Sequence, residues 1–214
     1  MTDTLTPTQS ADPVLTIEVR PSDLVTLLAN TLPFIDKDRP ALSPKLTWDP
    51  SDLALHAEAT DSYVLLRQSI VVTGDASAVP AWSCQLDTGA IKSAVTWLKA
   101  CKLGGTATAT LAFDGKALTL SHPAYGQTSI RVLPEGTYPN TEALFKSFTP
   151  NGGVADVGLG SERLAGLSKI RRIGQPASDR PGFKFVFGKT NLAAIKFTVV
   201  GDSAYGLLMP YRVA

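Results

Sequence analysis

Residues 82–133 decide the fold: WSCQLDTGAIKSAVTWLKACKLGGTATATLAFDGKALTLSHPAYGQTSIRVL. Asp87 has the type of side chain that caps a helix N-terminus, and Gly104-Gly105 is the type of sequence that ends a helix. Asp114-Gly115 is a strong hairpin turn signal between alternating apolar stretches. The predicted elements are a strand at 83–86, a helix from Asp87 to about Leu103, and strands at 106–113, 116–121 and 127–133.

The same order of one strand, one helix and three strands recurs before and after this segment. Before it, Pro21-Ser22-Asp23 opens a helix and Pro33 ends it, because proline suits the first helical turn but not the interior. After it, Ser161 is the predicted cap of a helix over 161–172. The remaining predicted strands lie at 15–20, 45–49, 53–60, 62–72, 183–188, 192–200 and 204–213.

Helix starts therefore recur about every 70 residues, and we call each repeated unit a half. A single half cannot bury its own apolar face, so halves must pair, and the predicted fold class is α+β. The predicted organisation is a flexible tail at 1–13, a domain of two halves at 14–140, a linker at 141–153, and a third half or shortened second domain at 154–214.

The composition excludes a protein surface that is basic overall and binds nucleic acid through bulk charge. Of the 214 residues, 44% are hydrophobic and 18% are charged, and the net charge is +1, so any DNA contact must come from local patches. Cys84 and Cys101 are predicted to be reduced, buried thiols, with a disulfide as the alternative. The N-terminal residues lack a signal-peptide pattern, and no stretch reaches the roughly 20 apolar residues of a membrane span, so we expect a soluble, cytoplasmic protein.

Three short motifs then indicate a family. The segment Ala59–Leu65, ATDSYVL, forms a turn between two predicted strands. Tyr138-Pro139-Asn140 is followed by Leu144-Phe145, and the C-terminal stretch Tyr205–Val213 reads YGLLMPYRV. In this order around three helices, the motifs resemble those of the bacterial DNA polymerase III beta sliding clamp superfamily. The chain departs from that family at Val64, where clamps usually carry an arginine, and in having about one and a half domains instead of three.

The resemblance implies a DNA-clamp fold, in which repeated halves place their helices on one face of antiparallel sheets. It further implies a non-enzymatic processivity factor that encircles duplex DNA without regard to sequence, as a homo-oligomer, and works with a DNA polymerase and a clamp loader. No cofactor is implied, and the short chain would suit a phage or mobile-element protein. The alternative is a clamp-derived binding module or decoy without a ring, which captures clamp-binding peptides or the clamp itself.

Basic side chains on the predicted helices are the candidates for DNA contact. A sliding protein needs weak phosphate contacts rather than contacts to base edges. Lys92 and Lys99 are seven residues apart on one predicted helix and therefore share a face. The alternative is that they are ordinary solvated helix surfaces. The candidates are Lys92, Lys99, Lys102, Arg163, Lys169, Arg171 and Arg172.

A second candidate site follows only from the resemblance. In the family, short peptides insert apolar side chains into a groove between the Ala-Thr-Asp turn and the C-terminal strand. Methionine gives such a groove an adaptable wall, and tyrosine and arginine are common interface anchors. The alternative is that the C-terminal strand serves only as a core or edge strand. The matching residues are Tyr63, Leu65, Met209, Pro210, Tyr211 and Arg212.

Other signals do not reach the level of a site. His56 and His122 are isolated, and no residues have metal-ligand spacing. The stretch Gly158–Ser161 lacks the lysine of a phosphate-binding loop, so it is interpreted as a turn. With no nucleophile motif and no paired carboxylates, the sequence predicts a binding protein rather than an enzyme.

Overall fold

The computed structural model describes residues 16–36, 38–72, 76–102, 107–134, 136, 138–150, 157–176, 178–190 and 192–211. The predicted tail at 1–13, the helix-ending glycines at 104–105, residues 151–153 of the predicted linker, and Arg212 lie outside the described residues.

The predicted alternation of strands and helices is confirmed for the first two halves, and the structure adds a short helix at Thr141–Ser147 within the predicted linker. The strands are β1 (Thr16–Val19), β2 (Lys45–Asp49), β3 (Ala54–Thr60), β4 (Val64–Val71), β5 (Trp82–Leu86), β6 (Ala109–Phe113), β7 (Ala117–His122), β8 (Gly126–Leu133), β9 (Phe183–Val186), β10 (Ile195–Val199) and β11 (Tyr205–Leu208). The helices are α1 (Pro21–Thr31), α2 (Thr88–Lys102), α3 (Thr141–Ser147) and α4 (Ser161–Leu167), with short 3-10 turns at Leu32–Phe34 and Pro40–Leu42.

The first two halves interlock through their strands. The first strand of each half pairs with the second strand of the other, β1 with β6 and β5 with β2, all antiparallel. Helices α1 and α2 pack side by side over this arrangement. Their buried faces and the sheet share one apolar core, which includes Leu24, Leu28, Trp48, Ile91 and Leu98. The first two halves thus bury their helices and strands in one shared core.

The third half joins the domain through its last strand. β11 pairs antiparallel with β4, with Leu207 opposite Leu65, and the described strands form one sheet in the order β1-β6-β7-β8-β5-β2-β3-β4-β11-β10-β9. Gly206 permits this close approach, because a Cβ there would overlap the Leu65 carbonyl oxygen and lie 2.5 Å from Cζ of Phe197. A second core bridges the junction and contains Phe34 and Phe197.

The structure corrects the third predicted helix. Helix α4 ends at Leu167, so the prediction of a helix over 161–172 was wrong. The backbone N–H of Arg171 donates to Oδ1 of Asn30 at 3.0 Å instead of continuing the helix. The residue at the N-cap is Gly160, without a side-chain cap, so the prediction that Ser161 caps this helix was also wrong.

Within the described part of the chain, no helix is both long and apolar enough to cross a membrane.

Candidate peptide groove and cationic face

A surface groove of about 330 Å³ lies where the third half meets the first. Strand β4, helix α3 and strand β11 form its walls, and the loop between β9 and β10 forms its rim. The lining is mainly apolar. The groove is lined by Thr60, Ser62, Tyr63, Val64, Leu65, Leu144, Ser147, Phe148, Thr149, Gly188, Lys189, Ala193, Ala194, Leu207 and Met209.

The Ala-Thr-Asp turn shapes one wall of the groove. Oδ1 of Asp61 accepts hydrogen bonds from the backbone N–H groups of Tyr63 at 2.9 Å and Val64 at 2.7 Å. Ser62 takes a positive φ of 76°, which this side-chain bonding helps to hold. The turn leaves Tyr63 52% exposed, while the N–H of Met209 donates to the Tyr63 carbonyl at 2.7 Å. Local sequence therefore presents an exposed aromatic ring beside the C-terminal strand.

The predicted groove residues divide into three groups. Tyr63, Leu65 and Met209 line the groove together. Pro210 and Tyr211 follow directly in the chain but do not line it, and the backbone of Tyr211 instead bonds Gly158 at 2.8 Å. Arg212 lies outside the described residues.

Helix α3 is a wall that the sequence interpretation missed, since its residues were assigned to a linker. Oδ1 of Asn140 caps the helix by accepting the N–H of Ala143 at 3.0 Å. Leu144 and Ser147 then face the groove. An asparagine before a short apolar and charged stretch was the available signal for this helix.

Arg163, predicted to face DNA, lies at the groove. Its guanidinium sits 4.1 Å from the centre of the Tyr63 ring, and Nη1 donates to the Met209 carbonyl at 2.9 Å. Cation–π contact and a carbonyl bond together hold this side chain across the junction. The structure therefore brings Arg163 together with the groove residues and not with the lysines of α2.

A separate cationic face lies on the helical side. A cavity of about 610 Å³ between α1, α2 and the segment after α4 is lined by Lys99, Lys102, Lys169 and Arg171. No acidic residue is among the described residues that line it. We call these four residues the cationic face. Although α4 is shorter than predicted, Lys169 and Arg171 still meet the two lysines of α2.

A buried polar network positions the segment that carries Lys169 and Arg171. Nδ2 of Asn30 donates to the Arg171 carbonyl at 2.7 Å and to Oε1 of Gln68 at 2.8 Å. Nε2 of Gln68 donates to Oδ1 of Asp202 at 2.7 Å, and Oδ2 of Asp202 accepts the N–H of Ile173 at 2.6 Å. Because satisfied buried networks specify one arrangement, these bonds fix the segment against α1.

The other predicted DNA contacts stand apart from the cationic face. Lys92 is exposed on α2, seven residues before Lys99, but does not line the cavity. Arg172 forms a two-bond ion pair with Asp179 at 2.6 and 2.8 Å, which raises the pKa of Arg172 and lowers that of Asp179. A guanidinium bound in this way is less available to a phosphate.

Arg67 occupies the other side of α3 from the groove. Nε donates to Glu58 at 2.6 Å, Nη1 donates to Glu142 at 2.9 Å, and Nη2 donates to Oγ1 of Thr141 at 3.1 Å. Burial alone disfavours the charged form, but the bonds to the two glutamates raise the pKa of Arg67 above its usual value.

The described residues include no group of three or more side chains suited to hold a metal ion. His56 contacts Asp52 at 3.0 Å. His122 is buried in the β7–β8 hairpin, where its Nδ1 accepts the N–H of Ala124 at 3.2 Å. Both histidines therefore have local structural contacts.

Comparison with solved structures shows that this fold is the fold of bacterial sliding clamps. The beta subunit of DNA polymerase III from Thermotoga maritima matches with a TM-score of 0.68 and 14% identity, over 99% of this chain and 68% of that chain. The sliding clamp from Pseudomonas aeruginosa matches with a TM-score of 0.65 and 13% identity, over 98% and 70%. The Helicobacter pylori clamp bound to a DNA ligase peptide matches with a TM-score of 0.64 and 13% identity, over 97% of this chain and 68% of that chain. No family model and no curated protein matches this sequence.

Proposed function

We propose that this chain, which has the fold of bacterial sliding clamps, is a clamp that rides on duplex DNA and docks partner proteins through the groove. The proposal rests on one observation: the groove and the cationic face both depend on the contact between the third half and the rest of the chain. Attachment of the third half to the first completes the groove at Leu65 and Met209, and it also brings Lys169 and Arg171 beside Lys99 and Lys102.

The cationic face has chemistry suited to sliding. The ammonium groups of lysines, at the ends of long flexible side chains, contact phosphates without reading base edges. Such contacts break and re-form as a protein moves along a duplex. The overall net charge is only +1, so a local face of four cations is the feature that would orient the chain on DNA. Lys92 would extend this face along α2.

The groove has chemistry suited to an extended apolar peptide. Exposed Tyr63 and Met209 give aromatic and adaptable walls, and Leu144 adds apolar surface from α3. The H. pylori clamp, which shares the fold, is bound to a peptide of a DNA ligase. Because the fold is shared with clamps, a DNA polymerase and a clamp loader are also proposed as partners. The cytoplasm is the proposed location.

An oligomer is proposed because part of one edge of strand β8 has no partner among the described strands. The last strands of the first and third halves, β4 and β11, pair across the junction. In the second half, the last strand β8 pairs with β7 and meets β5 only at Val132 and Leu133. Among the described strands, none covers the outer edge from Gly126 to Ile130. Four chains of three halves, or two chains whose third halves complete each other, are the two proposed assemblies.

The alternative function is a binding module that captures clamp-binding peptides or the clamp itself, without a ring. The observation that favours it is the completeness of the groove within one chain. The chain also spans only 67–70% of the length of the clamps it matches.

The test of the groove is peptide affinity. A fluorescein-labelled DNA ligase peptide of the kind bound to the H. pylori clamp should bind this protein, and a scrambled peptide should not. Tyr63→Ala combined with Met209→Ala should weaken binding at least about 30-fold, as for removal of interface anchors. Tyr125→Ala, an exposed tyrosine in the β7–β8 hairpin, is the matched control.

The outcomes separate the two functions. If the labelled peptide binds no better than the scrambled peptide, the docking proposal is wrong. If it binds and the protein stays monomeric on DNA, the binding module is correct and the ring is not. Binding by an oligomer that also holds DNA supports the clamp.

A further inference from the structure

Helix α3 is too short to hold its own position. It has seven residues, and isolated helices below about 12 residues are marginal in water. Its location as a groove wall must therefore come from tertiary contacts. Leu144 and Ser147 face the groove, whereas Thr141, Glu142 and Phe145 contact Arg67 on strand β4.

One guanidinium makes all three of these contacts. Besides the hydrogen bonds to Glu142 and Thr141, the Arg67 guanidinium lies 5.1 Å from the centre of the Phe145 ring. Phe145 in turn packs edge-on against Tyr205 of β11, with ring centres 5.0 Å apart. The planar fork of arginine can serve several acceptors at once, which a lysine ammonium does with less geometric control.

The Arg67 side chain is held in place by burial and by its ion pair with Glu58. Its side chain is 19% exposed, and its partner Glu58 on β3 is only 7% exposed. A buried carboxylate requires a charged or hydrogen-bonding partner, so Glu58 holds the guanidinium in place. Oε2 of Glu58 also accepts a hydrogen bond from the Thr141 hydroxyl at 2.9 Å, which closes the cluster.

We propose that Arg67 is a positioning residue for peptide binding: it fixes α3 as a wall of the groove, although it does not line the groove. The inference rests on the proposed docking function of that groove. It implies that peptide affinity depends on side chains on the far side of α3, which no peptide in the groove would touch.

The test combines amide exchange with peptide affinity. Glu142→Gln and Phe145→Leu change only side chains of α3; the Glu142 side chain is 56% exposed and Phe145 is only partly buried, so both variants should fold. Arg67→Lys keeps the charge near Glu58 but loses the fork. Asp179→Asn breaks the Arg172 ion pair and is the control for losing an ion pair away from the groove.

Expected results differ between the α3 variants and the control. Amide exchange of residues 141–148 should accelerate in the Phe145→Leu and Glu142→Gln proteins, and affinity for the labelled ligase peptide should fall about tenfold when both changes are combined. Arg67→Lys should give exchange rates over 141–148 and a peptide affinity between those of the wild type and of the combined variant. Asp179→Asn should leave the exchange of 141–148 and the peptide affinity unchanged.

Two results would overturn the inference. Unchanged exchange over 141–148 in both the combined variant and Arg67→Lys would show that Arg67 does not fix the helix. Faster exchange with unchanged peptide affinity would show that the position of α3 does not matter for binding. If the wild-type protein binds no peptide at all, the docking function itself fails, while the exchange data still decide whether Arg67 holds α3.

Discussion

Replacing the three lysines of the cationic face should reduce the salt dependence of DNA binding. Lys99→Gln, Lys102→Gln and Lys169→Gln remove three cations that line one cavity, and each phosphate contact contributes about 0.9 to the slope of log K against log salt. If all three lysines contact phosphates, the slope should fall by about 2.7. Between about 50 and 200 mM salt, wild-type affinity should then drop about 40-fold more than that of the variant. Arg171 is left intact because its Nη1 also bonds the carbonyls of Ser168 and Ile170.

The assay is fluorescence anisotropy of a labelled duplex of about 30 base pairs, titrated at several salt concentrations. The control is Lys116→Gln, Lys146→Gln and Lys184→Gln, three exposed lysines that change the net charge equally but do not line the cationic face. The control should keep the wild-type slope. Equal slopes for the two triple variants would rule out a localised DNA contact at the cationic face, because net charge alone would then explain the binding.

Three further predictions concern the junction and the core. Gly206→Ala should lower the free energy of unfolding in urea by about 3 kcal/mol, because its methyl group has no room between β4 and β10, and an unchanged denaturation midpoint would contradict the close approach. Cys84 should resist a thiol reagent at pH 8 until the protein unfolds, because burial raises its pKa to about 12; rapid native reaction would contradict this. Arg67 lowers the pKa of Glu142, so Glu142→Gln should cost stability at pH 7, and this cost should shrink as the pH falls through the lowered pKa of the folded state, where Glu142 becomes protonated; a cost that does not depend on pH would contradict the ion pair.

Local signals explain why the halves could be predicted. Asp87 accepts the N–H of Ala90 at 2.9 Å, as its position before an apolar helix indicated. The predicted turn at Asp114-Gly115 is present, with Gly115 at a φ of 87°. Cys84 and Cys101 are buried as expected. For the helix cap and the turn, the determining contacts lie within a few residues of one another.

Long-range contacts explain what sequence reasoning missed. Helix α4 ends at Leu167, and the segment beyond it is bonded through Arg171 to Asn30, a residue 141 positions away. Arg163 reaches the groove because β11 pairs with β4, which local periodicity does not reveal. Helix α3 depends on Arg67, more than 70 residues earlier in the chain. Separation of the predicted cations into those beside the groove and those on the helical side therefore required the packed structure.

The most direct test of the ring is the mass of the protein in solution by light scattering, alone and with nicked circular DNA. At about 10 µM, we expect an oligomer whose mass is at least twice that of the 22.6 kDa chain and which stays bound to the circle at a salt concentration that strips it from the same DNA made linear. A 22.6 kDa monomer that leaves circular and linear DNA alike would contradict encirclement.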